Sequence, residues 1–246
     1  DIPDSGVLFA DMFFDHGGTV PAGRFIEPRI EAEIAFIMDS DLAGAEVAGA
    51  DVLAATGSVA PALEILDTRI FRADPETGAQ RVVFDTISDN AANAGVVLGD
   101  SRHAVDAFDL RWVGAITARN GEVEETGLGA GVLNDPVESM VWLVRRLAQY
   151  DDGLRAGDVV LSGSFIRPIE ARNGDSFRAD SRPFDTVHID FASHETGQGR
   201  TGKPLQEMAE GKTPNHRPLG DPGNGQPRRE LRHGRFRNAA DRETNF

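Results

Sequence analysis

Three glutamates have a spacing that suggests chemistry. Glu31 and Glu33 lie in the run Ile30-Glu-Ala-Glu-Ile-Ala-Phe-Ile37. Its alternation predicts a strand with Ile30, Ala32, Ile34 and Phe36 on one face. Glu31 and Glu33 then share the other face, about 7 Å apart along the chain. Glu64 lies inside Ala60-Pro-Ala-Leu-Glu-Ile-Leu66, with apolar neighbours on both sides. A buried lone carboxylate costs several kcal/mol, so it requires a cation, a proton or a hydrogen-bonded network. The chain has no cysteine, and no histidine adjoins these residues. Three carboxylates of this kind form a hard oxygen site, suited to Mg²⁺ or Mn²⁺ and unsuited to zinc. Spacing alone leaves a second reading open, a wet sheet face plus a single salt-bridged Glu64.

The surrounding elements must bring these side chains together. Val59–Ile65 is a second apolar run, bounded by Gly57 and Asp67. Leu110–Thr117 reads as a strand, Asn120-Gly121 as a two-residue hairpin turn, and Glu122–Thr126 as the returning strand. One helix start is well marked, with Asp135 as cap, Pro136 at the first position and Glu138 at the third. That helix is expected to run to about Tyr150 and to bury Val137, Val141, Leu143, Val144 and Leu147. A turn through Leu154–Asp158 leads into a strand at Val159, and Val187, Ile189 and Phe191 alternate in a last strand. His188 then faces away from the core, and His16 and His103 fall in turns or loops, so all three read as solvated. Gly127-Leu-Gly-Ala-Gly131 imitates a phosphate loop only superficially, because it follows a hairpin and lacks a lysine. No internal repeat is present.

Composition excludes several function classes. The chain has 246 residues and a formal charge of −15, which disfavours nucleic acid as a partner. No apolar stretch approaches the roughly 20 residues that span a bilayer, and no signal-peptide pattern is present. A cytoplasmic protein without a membrane partner is expected. The charge is uneven: residues 193–246 carry 10 Lys/Arg and 7 Asp/Glu, with 13 Gly or Pro and no Val or Ile. Such a stretch buries too little apolar surface to offset the entropy of ordering it, so 193–246 is expected to be a disordered tail behind a folded domain at 1–192.

Several longer runs resemble one known family. They are Asp11-Met-Phe-Phe14, Pro28–Phe36, Pro61–Asp67, Asp74-Pro-Glu-Thr-Gly78, Val83–Gly95, Asp109-Leu-Arg-Trp112, Arg119–Gly127, Gly131-Val-Leu-Asn134 and Gly163-Ser-Phe-Ile-Arg-Pro168. Together they make residues 1–192 similar to the fumarylacetoacetate hydrolase superfamily, in the branch of the 2-oxo-hept-4-ene-1,7-dioate hydratases. The resemblance implies a β-rich α+β fold of rolled mixed sheets with a few flanking helices, and a homo-oligomer. It places the divalent ion on Glu31, Glu33 and Glu64. The sequence departs from the family pattern in four places. The family's helical N-terminal region, with its active-site lysine, has no counterpart. Ala10 stands where the family has a first aspartate, and Ile166 replaces a threonine. The tail after Ser193 has no recognised relative. The chain therefore reads as a fragment at its start and as a frame-shifted product at its end, with its own activity in doubt.

The implied reaction is addition of water to a 2-oxo-alkenedioate, with decarboxylation of a 2-oxo-enedioate by the same superfamily as the alternative. Mg²⁺ or Mn²⁺ polarises the keto oxygen, and protein groups move the protons. Asp11 and Asp89 are the candidates for proton transfer, although Ser88-Asp89-Asn90 equally suits a helix cap. Ser164 either binds a substrate carboxylate or closes a turn. The far carboxylate needs a cation, for which Arg29, Arg72 and Arg167 qualify, with Arg167 beside Ser164 as the substrate-binding choice. A carbon–carbon hydrolase, which would use a histidine–glutamate pair, and a truncated subunit without turnover complete the alternatives.

Overall fold

The computed structural model describes residues 3–193 and the backbone of Phe236–Asn238. Its elements in chain order are β1 (Val7–Leu8), β2 (Phe13–Phe14), β3 (Thr19–Val20), β4 (Arg29–Met38), α1 (Gly49–Ala55), β5 (Thr56–Leu66), α2 (Val83–Ser88), β6 (Asn93–Leu98), β7 (Gly114–Arg119), β8 (Glu122–Leu128), α3 (Pro136–Ala148), β9 (Val159–Leu161), β10 (Ile169–Glu170), β11 (Ser176–Arg182), β12 (Thr186–Phe191) and β13 (Phe236–Asn238). Short 3₁₀ turns join several of them.

The strands form two open mixed sheets. One has the order β1-β13-β9-β4-β5-β6-β2, with β10 also paired to β4, and the other has the order β3-β12-β11-β7-β8. Most pairs are antiparallel, whereas β2–β6, β3–β12 and β9–β13 run parallel. This is the expected β-rich architecture with few helices. The two longest strands, β4 and β5, lie side by side in the middle of the larger sheet, where Glu31 stands directly opposite Glu64.

The period-2 pattern of β4 sorts its side chains as expected. Ile30, Ile34 and Phe36 enter a core that also holds Leu63 and Val97 from the same sheet, Phe177, Val187 and Ile189 from the other, and Met140, Leu143 and Val144 from α3. Ala35 and Ala62 face the other way, into a smaller apolar cluster with Leu8, Val96 and Leu161. Both faces of the central strands are therefore covered, and the acidic face of β4 is not wet. Helix α3 starts as expected, with the Val137 N–H donating to Asp135 Oδ1 at 2.9 Å.

Two differences from the expectations have local causes. The strand expected from Leu110 begins only at Gly114, because Asp109 Oδ1 accepts the Arg111 N–H and closes a 3₁₀ turn over Leu110–Trp112. Helix α3 stops at Ala148, two residues early, and Asp151 lies in the left-handed region at φ 54°. The tail expectation falls almost entirely outside the described residues. Within it, the backbone of Phe236–Asn238 is described, as strand β13. The Asn120-Gly121 turn has φ of 54° and 86°, the two left-handed positions that a tight hairpin needs.

Candidate metal centre

Glu31, Glu33 and Glu64 converge. Each offers a carboxylate oxygen, and these oxygens lie within 4.8 Å of one another. Glu31 is 3% exposed, and Glu33 and Glu64 are fully buried. The geometry follows from the pleat and the register. Glu31 and Glu33 share a face of β4, and the Glu31–Glu64 register puts the third carboxylate on that face from β5. Leu63 and Ile65 flank Glu64 on the opposite face and hold β5 in register by their own burial.

A loop secures Glu33 from the third side. The Ser162 N–H donates to Ile34 O at 3.0 Å and the Phe165 N–H to Ala32 O at 3.3 Å, which stitches residues 162–165 along β4. Between these bonds the Gly163 N–H donates to Glu33 Oε2 at 2.8 Å. Gly163 has φ 105°, a conformation that costs a side-chain-bearing residue strain. Strand β8 presses on the same loop, and a Cβ on Gly127 would lie 1.7 Å from Phe165 O.

The electrostatics suit a divalent cation. Burial pushes the Glu33 carboxyl up to about 7, and the Glu64 side chain and the Gly163 N–H only partly oppose it. Glu33 Oε1 is buried and has no hydrogen-bond partner. Three hard oxygen donors, one of them buried without a bond, fit Mg²⁺ or Mn²⁺. Among the described residues this is the one cluster of three or more metal-type ligands, and it contains no histidine.

The other candidates are exposed or already engaged. Asp11 is at the surface, its side chain 78% exposed and 3.8 Å from Arg24. Asp89 makes no cap bond. Its carboxylate instead accepts from Arg69 Nε at 2.5 Å and from the Arg69 N–H at 2.9 Å, so it anchors the chain beyond β5. Ser164 Oγ donates to Ile166 O at 2.9 Å, closing the turn. Arg167 is mostly exposed and pairs with Glu125 at 2.7 Å.

The histidines correct the expectation of simple exposure. His16 and His188 are half-buried with ring centroids 4.4 Å apart, and His103 stacks on Phe184 at 4.8 Å. His103 escapes its loop character because its backbone bridges to Val59. Sequence reasoning missed the Gly163 N–H, whose partner is 130 positions away. It also missed Asp67, which accepts backbone N–H groups from Ile26 and Glu27 and fixes the approach to β4.

Comparison with known proteins gives the family. No family model matches the chain. The 2-oxo-hept-4-ene-1,7-dioate hydratase of Escherichia coli is 53% identical over 189 residues, which cover 77% of this chain and 71% of that protein. The 2-keto-4-pentenoate hydratase of Paraburkholderia xenovorans is 36% identical over 196 residues, covering 79% and 70%. Among solved structures, 4-oxalocrotonate decarboxylase from Pseudomonas putida, complexed with magnesium and adipate, superposes with a TM-score of 0.70 at 28% identity and covers 76% and 68%. A fumarylacetoacetate hydrolase from Exiguobacterium antarcticum shares the fold, with a TM-score of 0.56 at 16% identity over 74% and 63% of the two chains. With these relatives and this arrangement of sheets, the chain belongs to the fumarylacetoacetate hydrolase superfamily, alongside the 2-oxo-alkenoate hydratases.

Proposed function

We propose that residues 1–192 form a divalent-metal-dependent hydratase that adds water to a 2-oxo-alkenedioate in the breakdown of aromatic compounds. The observation that supports this most is the convergence of three buried carboxylate oxygens within 4.8 Å, in a chain 53% identical to a hydratase of that substrate class. Glu31, Glu33 and Glu64 would hold the ion. When bound, it would supply a Lewis acid for the carboxylate and keto oxygen of the 2-oxo end, so that electron density drawn toward the ketone activates the distant alkene carbon. Mg²⁺ is the preferred ion, and Mn²⁺ has the same ligand preference.

The residues of the chain supply orientation and desolvation. The Gly163 N–H holds the Glu33 carboxylate toward its neighbours, and the apolar surroundings of β4 and β5 keep water away, which strengthens every charge interaction in the site. Asp11 keeps an open carboxylate and remains the candidate for moving the proton of the added water. Asp89 is assigned as an anchor, because Arg69 occupies its oxygens. Assembly into a homo-oligomer fits the exposure of Phe71, Val82 and Phe84, at 73%, 55% and 75%. No helix among the described residues is long and apolar enough to cross a membrane.

Decarboxylation of a 2-oxo-enedioate is the second reading, favoured by the likeness to 4-oxalocrotonate decarboxylase. Product analysis separates the two. With 2-oxo-hept-4-ene-1,7-dioate and Mg²⁺, a hydroxylated product without CO₂ supports the hydratase. Release of one CO₂ per substrate overturns it in favour of the decarboxylase, and no turnover of any such acid overturns both.

A further inference from the structure

A second charged site adjoins the triad along β4. A cavity of about 420 Å³ is lined by Arg29, Arg72 and Arg172 together with Glu27 and Glu170. Three guanidinium groups thus face two carboxylates. Arg72 is committed, with its Nε 3.0 Å from Glu27 Oε2. The other two arginines share one carboxylate and hold it loosely: Glu170 is 3.9 Å from Arg29 and 3.7 Å from Arg172, both beyond hydrogen-bond length. Burial lowers the pKa of Arg72, and the charges of Arg29 and Arg81 lower it further. The cluster is therefore under-neutralised, and a second carboxylate would meet donors built for bidentate capture.

Its placement ties it to the metal centre. Arg29 precedes Glu31 by two residues in β4, so their Cβ atoms share one face and stand about 7 Å apart. Glu170 is held opposite Arg29 by the pairing of β10 with β4. Arg167, the other arginine considered from the sequence, does not line the cavity. We infer that this cavity receives the far carboxylate of a substrate whose 2-oxo end lies at Glu31, Glu33 and Glu64. The inference rests on the function proposed above and makes the arginine cluster its selector for diacids over monoacids.

The test compares two unreactive 2-oxo acids, 2-oxoadipate and 2-oxohexanoate, which differ only in the far carboxylate. Their binding to the Mg²⁺-loaded protein is measured by calorimetry. The wild type should prefer the diacid by about 10- to 100-fold, the range of a hydrogen bond between charged groups. Arg29→Gln and, separately, Arg172→Gln should erase most of that preference and leave 2-oxohexanoate binding within about twofold. Arg172, 77% exposed, gives a variant whose folding is not at risk. Glu170→Gln should act in the opposite sense, strengthening diacid binding several-fold by releasing Arg29 and Arg172. Equal affinity for both acids in a protein that takes up Mg²⁺ overturns the inference alone, as does a parallel loss of both acids in the two arginine variants. Failure to bind either acid together with failure to take up Mg²⁺ removes the proposed function, and the inference with it.

Discussion

Replacing Glu33 by Gln should stabilise the metal-free protein, the opposite of what removing a buried hydrogen-bonded group usually does. The Glu33 carboxyl is raised from 4.5 to about 7, chiefly by burial. The folded state therefore binds this proton more tightly than the unfolded chain does. Below pH 4.5 both states are protonated and the group is neutral in its effect. As pH rises from 4.5 to about 7, the unfolded chain releases the proton first and the native state loses stability. The whole shift amounts to about 3 kcal/mol at pH 8. Gln keeps the shape, keeps an oxygen for the Gly163 N–H and never ionises, so it escapes this loss. At roughly 2–4 °C per kcal/mol for a domain of this size, the variant should melt about 6–12 °C above wild type at pH 8 in EDTA, and together with it at pH 4.5. Saturating Mg²⁺ should reverse the order. Wild type gains about 4.1 kcal/mol at a thousandfold excess over Kd, more than the lead of the variant, which is short of one charged ligand and gains little. Coincident melting of the two proteins at pH 8 in EDTA would refute the view of Glu33 as a strained buried acid.

Further expectations follow from the same geometry. Glu64→Gln should lose most of the Mg²⁺-dependent rise in Tm. Glu124→Gln, which breaks only the pair with Arg119 on the hairpin, should keep that rise and cost no more than about 1 kcal/mol. Gly127→Ala drives a methyl group to within 1.7 Å of Phe165 O and should cost about 3 kcal/mol in urea unfolding, with weaker Mg²⁺ binding because the displaced loop carries Gly163. Asp89→Asn should lower stability by about 2 kcal/mol while leaving kcat within a few-fold, because it frees Arg69. Asp11→Asn, at an exposed site, should instead leave Tm unchanged and reduce kcat.

The metal ligands were legible because they obey local rules. The alternation of Ile30–Phe36 fixed the face of Glu31 and Glu33, and the apolar company of Glu64 marked it as costly to bury. What the period could not give was register. That Glu31 stands opposite Glu64 depends on the β4–β5 pairing, and only the resemblance supplied that link beforehand. The second layer was invisible for a related reason. Gly163 acts through its backbone across 130 positions, so no side chain announces it. Asp89 and Ser164 had the right residue types for chemistry, but their near neighbours Arg69 and Ile166 claimed them. His16, His103 and His188 read as exposed because loop and alternation rules ignore ring contacts between residues distant in sequence. The strand expected from Leu110 failed over its first residues, where Asp109 offered the backbone a competing bond.

The most direct test of the metal centre is a titration with Mn²⁺ followed by electron paramagnetic resonance. This counts bound ions without requiring turnover, and Mn²⁺ shares the oxygen preference of Mg²⁺. Wild type should bind one Mn²⁺ per chain, displaceable by Mg²⁺. Glu33→Gln and Glu64→Gln should each weaken that binding by at least about tenfold, and Glu124→Gln should match wild type. Binding by both triad variants as tight as that of wild type, or no binding by wild type at all, would contradict the assignment of Glu31, Glu33 and Glu64 as the metal centre.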